Sequence, residues 1–335
     1  MMQLNLDKNK KYLLACSYGP DSMALFSLLL NQGYDFVVAH VNYHARSTSD
    51  EEQKGLESYC LKKDIPFEVL DFRTSIKRNF EETAREIRYD FFKELYEKHH
   101  VDYLLTGHQL DDHIETYYLQ KQRKNLVNYY GIKSATTIKG MKVLRPLLNF
   151  EKKALQAYCD DNNIPYAIDQ SNLQPIYERN KIRIDIVSKM TLEEKISVSK
   201  EIDDKNKELK RLLNKISKVP NDILSLKGLS NIKFAYYLFR QIRRINPNYE
   251  ATYKFSLEVR KILDSNKPNV QINLKCGVVI EKEYDNLLIY KKGEFKGFDY
   301  LIINKCPFIF QPSSSPCICS SFSQGPFPSA VSPQP

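Results

Sequence analysis

Two clusters of residues in the first half of the chain have the types and spacing that handle phosphates and cations. The first is Ser17-Tyr18-Gly19-Pro20-Asp21-Ser22, between an apolar run, Tyr12 to Cys16, and a helical pattern carrying Met23, Phe26, Leu29 and Leu30. A tight turn into a helix leaves backbone N–H groups free, and these, with the helix dipole, attract phosphate oxygens. Gly19 lets the backbone approach an anion with no Cβ in the way. Ser17 and Ser22 add hydroxyl donors. Asp21 suits two jobs, a helix cap or a magnesium ligand beside phosphate. The lysine of a Walker loop is absent, so this is another kind of nucleotide loop. The second cluster is His108, Asp111, Asp112 and Glu115, spaced i, i+3, i+4, i+7, which on a helix share one face. Three acids so close repel one another unless a cation or cationic ligand sits among them. The plainer alternative is a solvated helix start whose acids the dipole favours.

The elements that must position these clusters alternate. Buried strands are expected at 12–16, 36–41, 67–72 and 101–106, and helices at 22–30, 50–63, 81–99 and 111–122. Strands separated by helices predict an α/β fold, a parallel sheet covered on both faces, with ligands at the carboxyl ends of its strands. The second half differs. A Lys/Glu-dense helix is expected over 192–219, as a solvated connector or packing helix. A basic helix over 234–245 carries Arg240, Arg243 and Arg244 near Tyr236, Tyr237 and Tyr249, an arrangement suited to a nucleic-acid backbone. A helix over 250–263 and three short strands over 270–290 complete a small α+β region.

The loop resembles the S-G-G-x-D-S loop of the PP-loop ATP pyrophosphatases, with Tyr18 where that family has its first glycine. The segment Gly107 to Thr116 resembles the G-H-x-x-D-D-x-x-E-T motif of one branch, the tRNA(Ile)-lysidine synthetases and their sulfur-transferring relatives. His40-Val41-Asn42-Tyr43-His44-Ala45-Arg46 is similar to that branch's H-V-N-H-x-x-R segment, with Tyr43 in place of the second histidine. Asn79 to Tyr89 resembles its N-x-E-x-x-A-R-x-x-R-Y helix. Asp169 to Asn172 followed by Arg179 to Arg183 resembles its D-x-S-N and R-N-x-I-R pair, and Arg145-Pro146-Leu147-Leu148 fits as well. The resemblance covers about residues 10 to 190. It implies a PP-loop domain that adenylates the C2 oxygen of the wobble cytidine in tRNA(Ile) with a CAU anticodon, after which free lysine displaces AMP. The implied cofactors are ATP and Mg²⁺. The implied roles give pyrophosphate to residues 17–22, Mg²⁺ to Asp21 with Asp112, and the lysine ammonium to Asp111 and Glu115, with His108 beside them. Phosphates or RNA fall to Arg85, Arg88, Arg179 and Arg183. Tyr43, Tyr89, Tyr117 and Tyr177 are available for stacking on a splayed base.

Composition bounds the rest. Lys+Arg exceed Asp+Glu by 50 to 41, which favours a polyanionic partner. No apolar run reaches the roughly 20 residues that cross a bilayer, and the first residues lack a secretory core, so a cytoplasmic protein is expected. Cysteines in the first half stand singly, which disfavours sulfur transfer by paired thiols. The expected domains are a catalytic one over 1–190, a helical connector over 191–219 and a tRNA-contacting α+β domain over 220–295. The tail at 306–335 has no charged residue and seven of the fifteen prolines, a composition expected to stay disordered. The competing functions are thiolation or amidation by a related enzyme, and nucleotide and RNA binding without catalysis.

Overall fold

Strand β1 (Lys11–Ala15) is buried along its middle, and every residue from Ser22 to Leu29 of the following helix, α1 (Pro20–Asn31), is buried too. A helix covered all round belongs to the centre of a domain. Around this pair lie β2 (Asp35–Asn42), α2 (Ser49–Lys62), β3 (Phe67–Asp71), α3 (Phe80–Lys98), β4 (Tyr103–Thr106) and α4 (Leu110–Arg123). Then come the hairpin β5 (Ala135–Ile138) and β6 (Met141–Leu144), α5 (Lys152–Asp161), α6 (Glu178–Asp185) and α7 (Leu192–Ile216). The computed structural model describes residues 2–45, 47–73, 80–168, 178–247, 249–250 and 252–294. The 306–335 tail, the 169–172 motif, Arg46, Asn79 and Tyr177 lie outside the described residues.

Six strands form one sheet in the order β3-β2-β1-β4-β6-β5, parallel except for the edge strand β5. The expected α/β architecture is therefore present. The two faces of the pleat take alternate side chains. Tyr12, Leu14, Phe36 and Val38 join an apolar layer with α1, α2 and α5, while Leu13, Val37 and Ala39 join α3 on the other face. The chain winds outward from β1 through β2 to β3, then places β4 on the other side of β1. That reversal opens a crevice beyond the carboxyl ends of β1 and β4. The phosphate loop leaves β1 and the segment 107–109 leaves β4, so topology delivers both clusters to one place.

The charged stretch after residue 192 is a packing helix. α7 buries Lys195, Ile202, Leu209 and Ile216, one every seven residues, and packs on α4. A second compact unit, which among the described residues takes 219–247, 249 and 254–294, consists of α8 (Ile223–Lys227), α9 (Asn231–Ile245), most of α10 (Tyr253–Asp264) and a three-stranded antiparallel sheet. Its strands are β7 (Asn269–Asn273), β8 (Val278–Glu283) and β9 (Asn286–Lys291). Buried Lys282 donates to the carbonyls of Leu263 and Ser265 and so satisfies the end of α10.

Phe26 is fully buried in α1, edge-on to Phe36 and tilted on Tyr59. Phe26→Ala is expected to cost about 3–5 kcal/mol, read as a lower denaturant midpoint at unchanged slope.

Candidate active site

The phosphate loop is ordered from within. Ser22 Oγ donates to Gly19 O at 2.9 Å and receives the Ser17 N–H at 3.3 Å. Gly19 caps α1 with an ordinary extended φ of −79°, so no glycine-specific backbone freedom is used there. The left-handed residue of the loop is Tyr18, at φ 62°. Asp21 sits in the first turn and caps nothing. Its Oδ1 is buried and has no hydrogen-bond partner among the described residues. Burial, with Asp112 and Asp111 adding to it against Lys152, pushes this carboxyl up to about 7. A buried carboxylate oxygen without a partner, at a helix N-terminus built for phosphate, fits a cation.

The β4–α4 segment lies directly against this loop. A Cβ on Gly107 would stand 3.2 Å from Ser22 N, so a side chain there would press the two backbones apart by a few tenths of an ångström. Helix α4 starts at Leu110, and its cap is Gln109, whose side chain accepts from the N–H groups of Asp111 and Asp112. Asp112 returns the bond to Gln109 N at 3.3 Å. His108 therefore precedes the helix, whereas its spacing had suggested a place on the helix face with the acids. Its Nδ1 meets Thr106 Oγ1 at 2.9 Å. Burial, helped by Arg145, Arg179 and Arg85 against Asp112, pulls His108 down to about 4, so the ring is neutral at pH 7.

The acids on α4 have protein cations as partners. Ile182 of α6 packs on Leu110 and Ile114, which turns Arg179 and Arg183 toward the acid face. Glu115, 1% exposed, takes Arg183 Nε at 2.6 Å and Arg179 Nε at 3.0 Å. Asp112 takes Arg179 at 3.2 Å. Lys195, also 1% exposed, reaches Asp111 at 3.0 Å and Glu151 at 2.6 Å. Burial opposes its charge, but the two carboxylates outweigh that and raise its pKa. Sequence patterns reveal neither Lys195 nor Glu151, because the first looks like one more surface lysine and the second stands alone. Lys152, whose charge acts on Asp21, went unseen for the same reason.

Other expected residues have other places. Arg85 lies over the Tyr89 ring at 4.8 Å, and its charge reaches His108 and Arg145; Arg88 is exposed and acts on Tyr43. Tyr89 and Tyr117 are core residues, Tyr117 with its hydroxyl on Glu201, and Tyr43 donates to Ala84 O. His40 is buried on Cys16 O, while His44 lies between Asp50 and Asp71. In the second unit Tyr236 and Tyr237 are buried, Arg243 lies over Phe239, and Arg244 is exposed.

Two charge states can be read from stability. A carboxyl raised from 3.8 to about 7 gives stability that is full at low pH and lost as pH rises through 7. Asp21→Asn removes that loss. Without ligand, its melting temperature is expected about 2–5 °C above the parent's at pH 8, the gap closing toward pH 5. Lys195→Met strands Asp111 and Glu151. It is expected to cost about 3–5 kcal/mol at pH 7, and less at pH 5, where the stranded carboxyls take protons.

A family model described as a PP-loop domain matches residues 1–190. A tRNA(Ile)-lysidine synthase of Ureaplasma parvum is 37% identical over 287 residues, 84% of this chain and 83% of the relative. One of Mycoplasma mycoides is 36% identical over 88% of this chain and 76% of the relative. A solved U34-tRNA thiolase of Methanococcus maripaludis aligns over 56% of this chain and 76% of its own, at 16% identity and a TM-score of 0.43. No helix among the described residues is long and apolar enough to cross a membrane. With a family model matched over residues 1–190 and its likeness to these two synthases over most of their length, the chain belongs to the PP-loop family, among the tRNA(Ile)-lysidine synthases.

Proposed function

We propose that the chain joins the ε-amine of lysine to C2 of the wobble cytidine of tRNA(Ile) carrying a CAU anticodon, with ATP converted to AMP and pyrophosphate. The observation that carries this reading is the contact of Gly107 with the Ser22 backbone, which puts the phosphate loop and the acid–arginine face in one crevice. The cytosine oxygen is a poor leaving group. It attacks the α-phosphorus of ATP, the bond to the β-phosphate oxygen breaks, and pyrophosphate leaves. The lysine amine then adds to C2, the C2–O bond breaks, and AMP departs with that oxygen.

The chain's own groups divide this work. The N–H groups at the start of α1 and the hydroxyls of Ser17 and Ser22 hold phosphate oxygens. Arg179 and Arg183 add charge, and their pairing with Glu115 fixes them before substrate arrives. Asp21 Oδ1 would hold Mg²⁺, which when bound neutralises charge on the phosphates. Asp112, engaged with Arg179 and with the helix cap, would be the weaker second ligand. All three acids of α4 have protein cations beside them, and Asp112, at 16% the most exposed, is the one an arriving ammonium reaches most readily. His108, neutral, serves as a hydrogen-bonding group rather than a charge. Thiolation is disfavoured by the cysteines. Burial pushes Cys16 up to about 11 and Cys60 and Cys159 up to about 12, far from the reactive thiolate that sulfur transfer uses.

The test is to incubate the protein with ATP, Mg²⁺, labelled lysine and the tRNA transcript, measuring pyrophosphate release and label in RNA. Both are expected, and both should depend on the transcript. Asp21→Ala is expected to lower the adenylation rate by more than about tenfold. Incorporation of ammonia or sulfide in place of lysine would move the reaction to a relative's chemistry. RNA binding with no pyrophosphate release would leave a binding protein.

A further inference from the structure

The loop departs from its family at Tyr18, and the departure falls where a glycine's freedom is used. The φ of Tyr18 is 62°, in the left-handed region that residues with a Cβ seldom occupy. Such a conformation persists only where its surroundings over-determine it. The ring and the carbonyl supply that. The ring runs to α2 and lies across Gly55, where an added Cβ would stand 2.7 Å from the Tyr18 hydroxyl oxygen and 2.8 Å from Cζ. Real Cβ atoms do not approach so closely, so the ring fills the notch left by the missing side chain at 55. The rest of the ring packs on the apolar layer that includes α1 and α2. From a third side, the Ala167 N–H donates to Tyr18 O at 2.9 Å. Three separate parts of the chain thus converge on one loop residue.

We infer that Tyr18 is a positioning residue for ATP. Its ring, keyed into the notch at Gly55, holds the loop in the left-handed turn that a glycine adopts only as one conformation among many. A loop ordered before binding has less entropy to lose when the phosphates arrive. The inference rests on ATP use by this loop and not on which RNA is modified.

A double-mutant cycle tests it on the full chain. KM for ATP and kcat are read from pyrophosphate release at saturating lysine and transcript, and affinity for α,β-methylene-ATP is read by calorimetry. Tyr18→Gly is expected to raise KM about fivefold, with kcat within about twofold. Gly55→Ala, which presses on the ring, is expected to raise KM by a similar factor. The pair together is expected to be no worse than Tyr18→Gly alone, because the clash leaves with the ring. Tyr18→Phe keeps the ring and should bind ATP more tightly than Tyr18→Gly. Additive losses in the pair, or a Tyr18→Gly variant with KM at or below the parent's, overturn the inference. So does a Phe variant as weak as the Gly variant, a comparison that stands even if Gly55→Ala fails to fold. Should lysine ligation itself fail, the calorimetric cycle still decides the role of Tyr18.

Discussion

A carboxylate that is 1% exposed needs cations beside it, and at Glu115 that need fixes the surroundings of the site. Removing such a charge from water is costly unless the match is close. Two guanidiniums from α6 provide it, and Lys195 from α7 does the same for Asp111 and Glu151. The helices that carry these cations are therefore held to α4 by charge as well as by apolar contact. In the proposed function the same two arginines also meet phosphate, so structural neutralisation and substrate binding share one set of side chains.

The sheet and the phosphate loop were legible because their signals are local. β1 to β4 are short apolar runs, and the loop is six consecutive residues. The hairpin β5–β6 was missed: Ala135–Ile138 is an edge strand with exposed and half-buried residues only, so it leaves no apolar run to detect. Helices α5 and α6 bury only two residues each, too few for a clear periodicity. What lay beyond reach was pairing across the chain. Glu115 meets Arg179 and Arg183 more than sixty residues on, and Asp111 meets Lys195 eighty-four on. Read alone, the acids look like a trap for an incoming cation. In the fold the protein's own cations have already answered most of their charge.

The tyrosines teach a related lesson. Tyr89, Tyr117, Tyr236 and Tyr237 have the chemistry to stack on a base, yet all four are buried. Nothing in their local sequence separates a core ring from a surface one, since both occur beside charged residues on amphipathic helices. The charged stretch of α7 misleads in the opposite sense. Its buried positions come only once in seven residues, and the first of them is a lysine.

The meeting of Tyr18 with Gly55 ties two positions, thirty-seven residues apart, into a single unit of inheritance. A glycine inside a helix costs about 1 kcal/mol relative to alanine, so drift should ordinarily remove it. While the tyrosine stands, that gain is offset, because the first methyl at 55 meets its ring and the ring must shift. A lineage whose loop carries the family's glycine has no such ring, and its α2 is free to become a better helix. Each residue therefore weighs against change at the other: a side chain at 55 costs more while the ring is present, and a ring at 18 costs more once 55 carries a side chain.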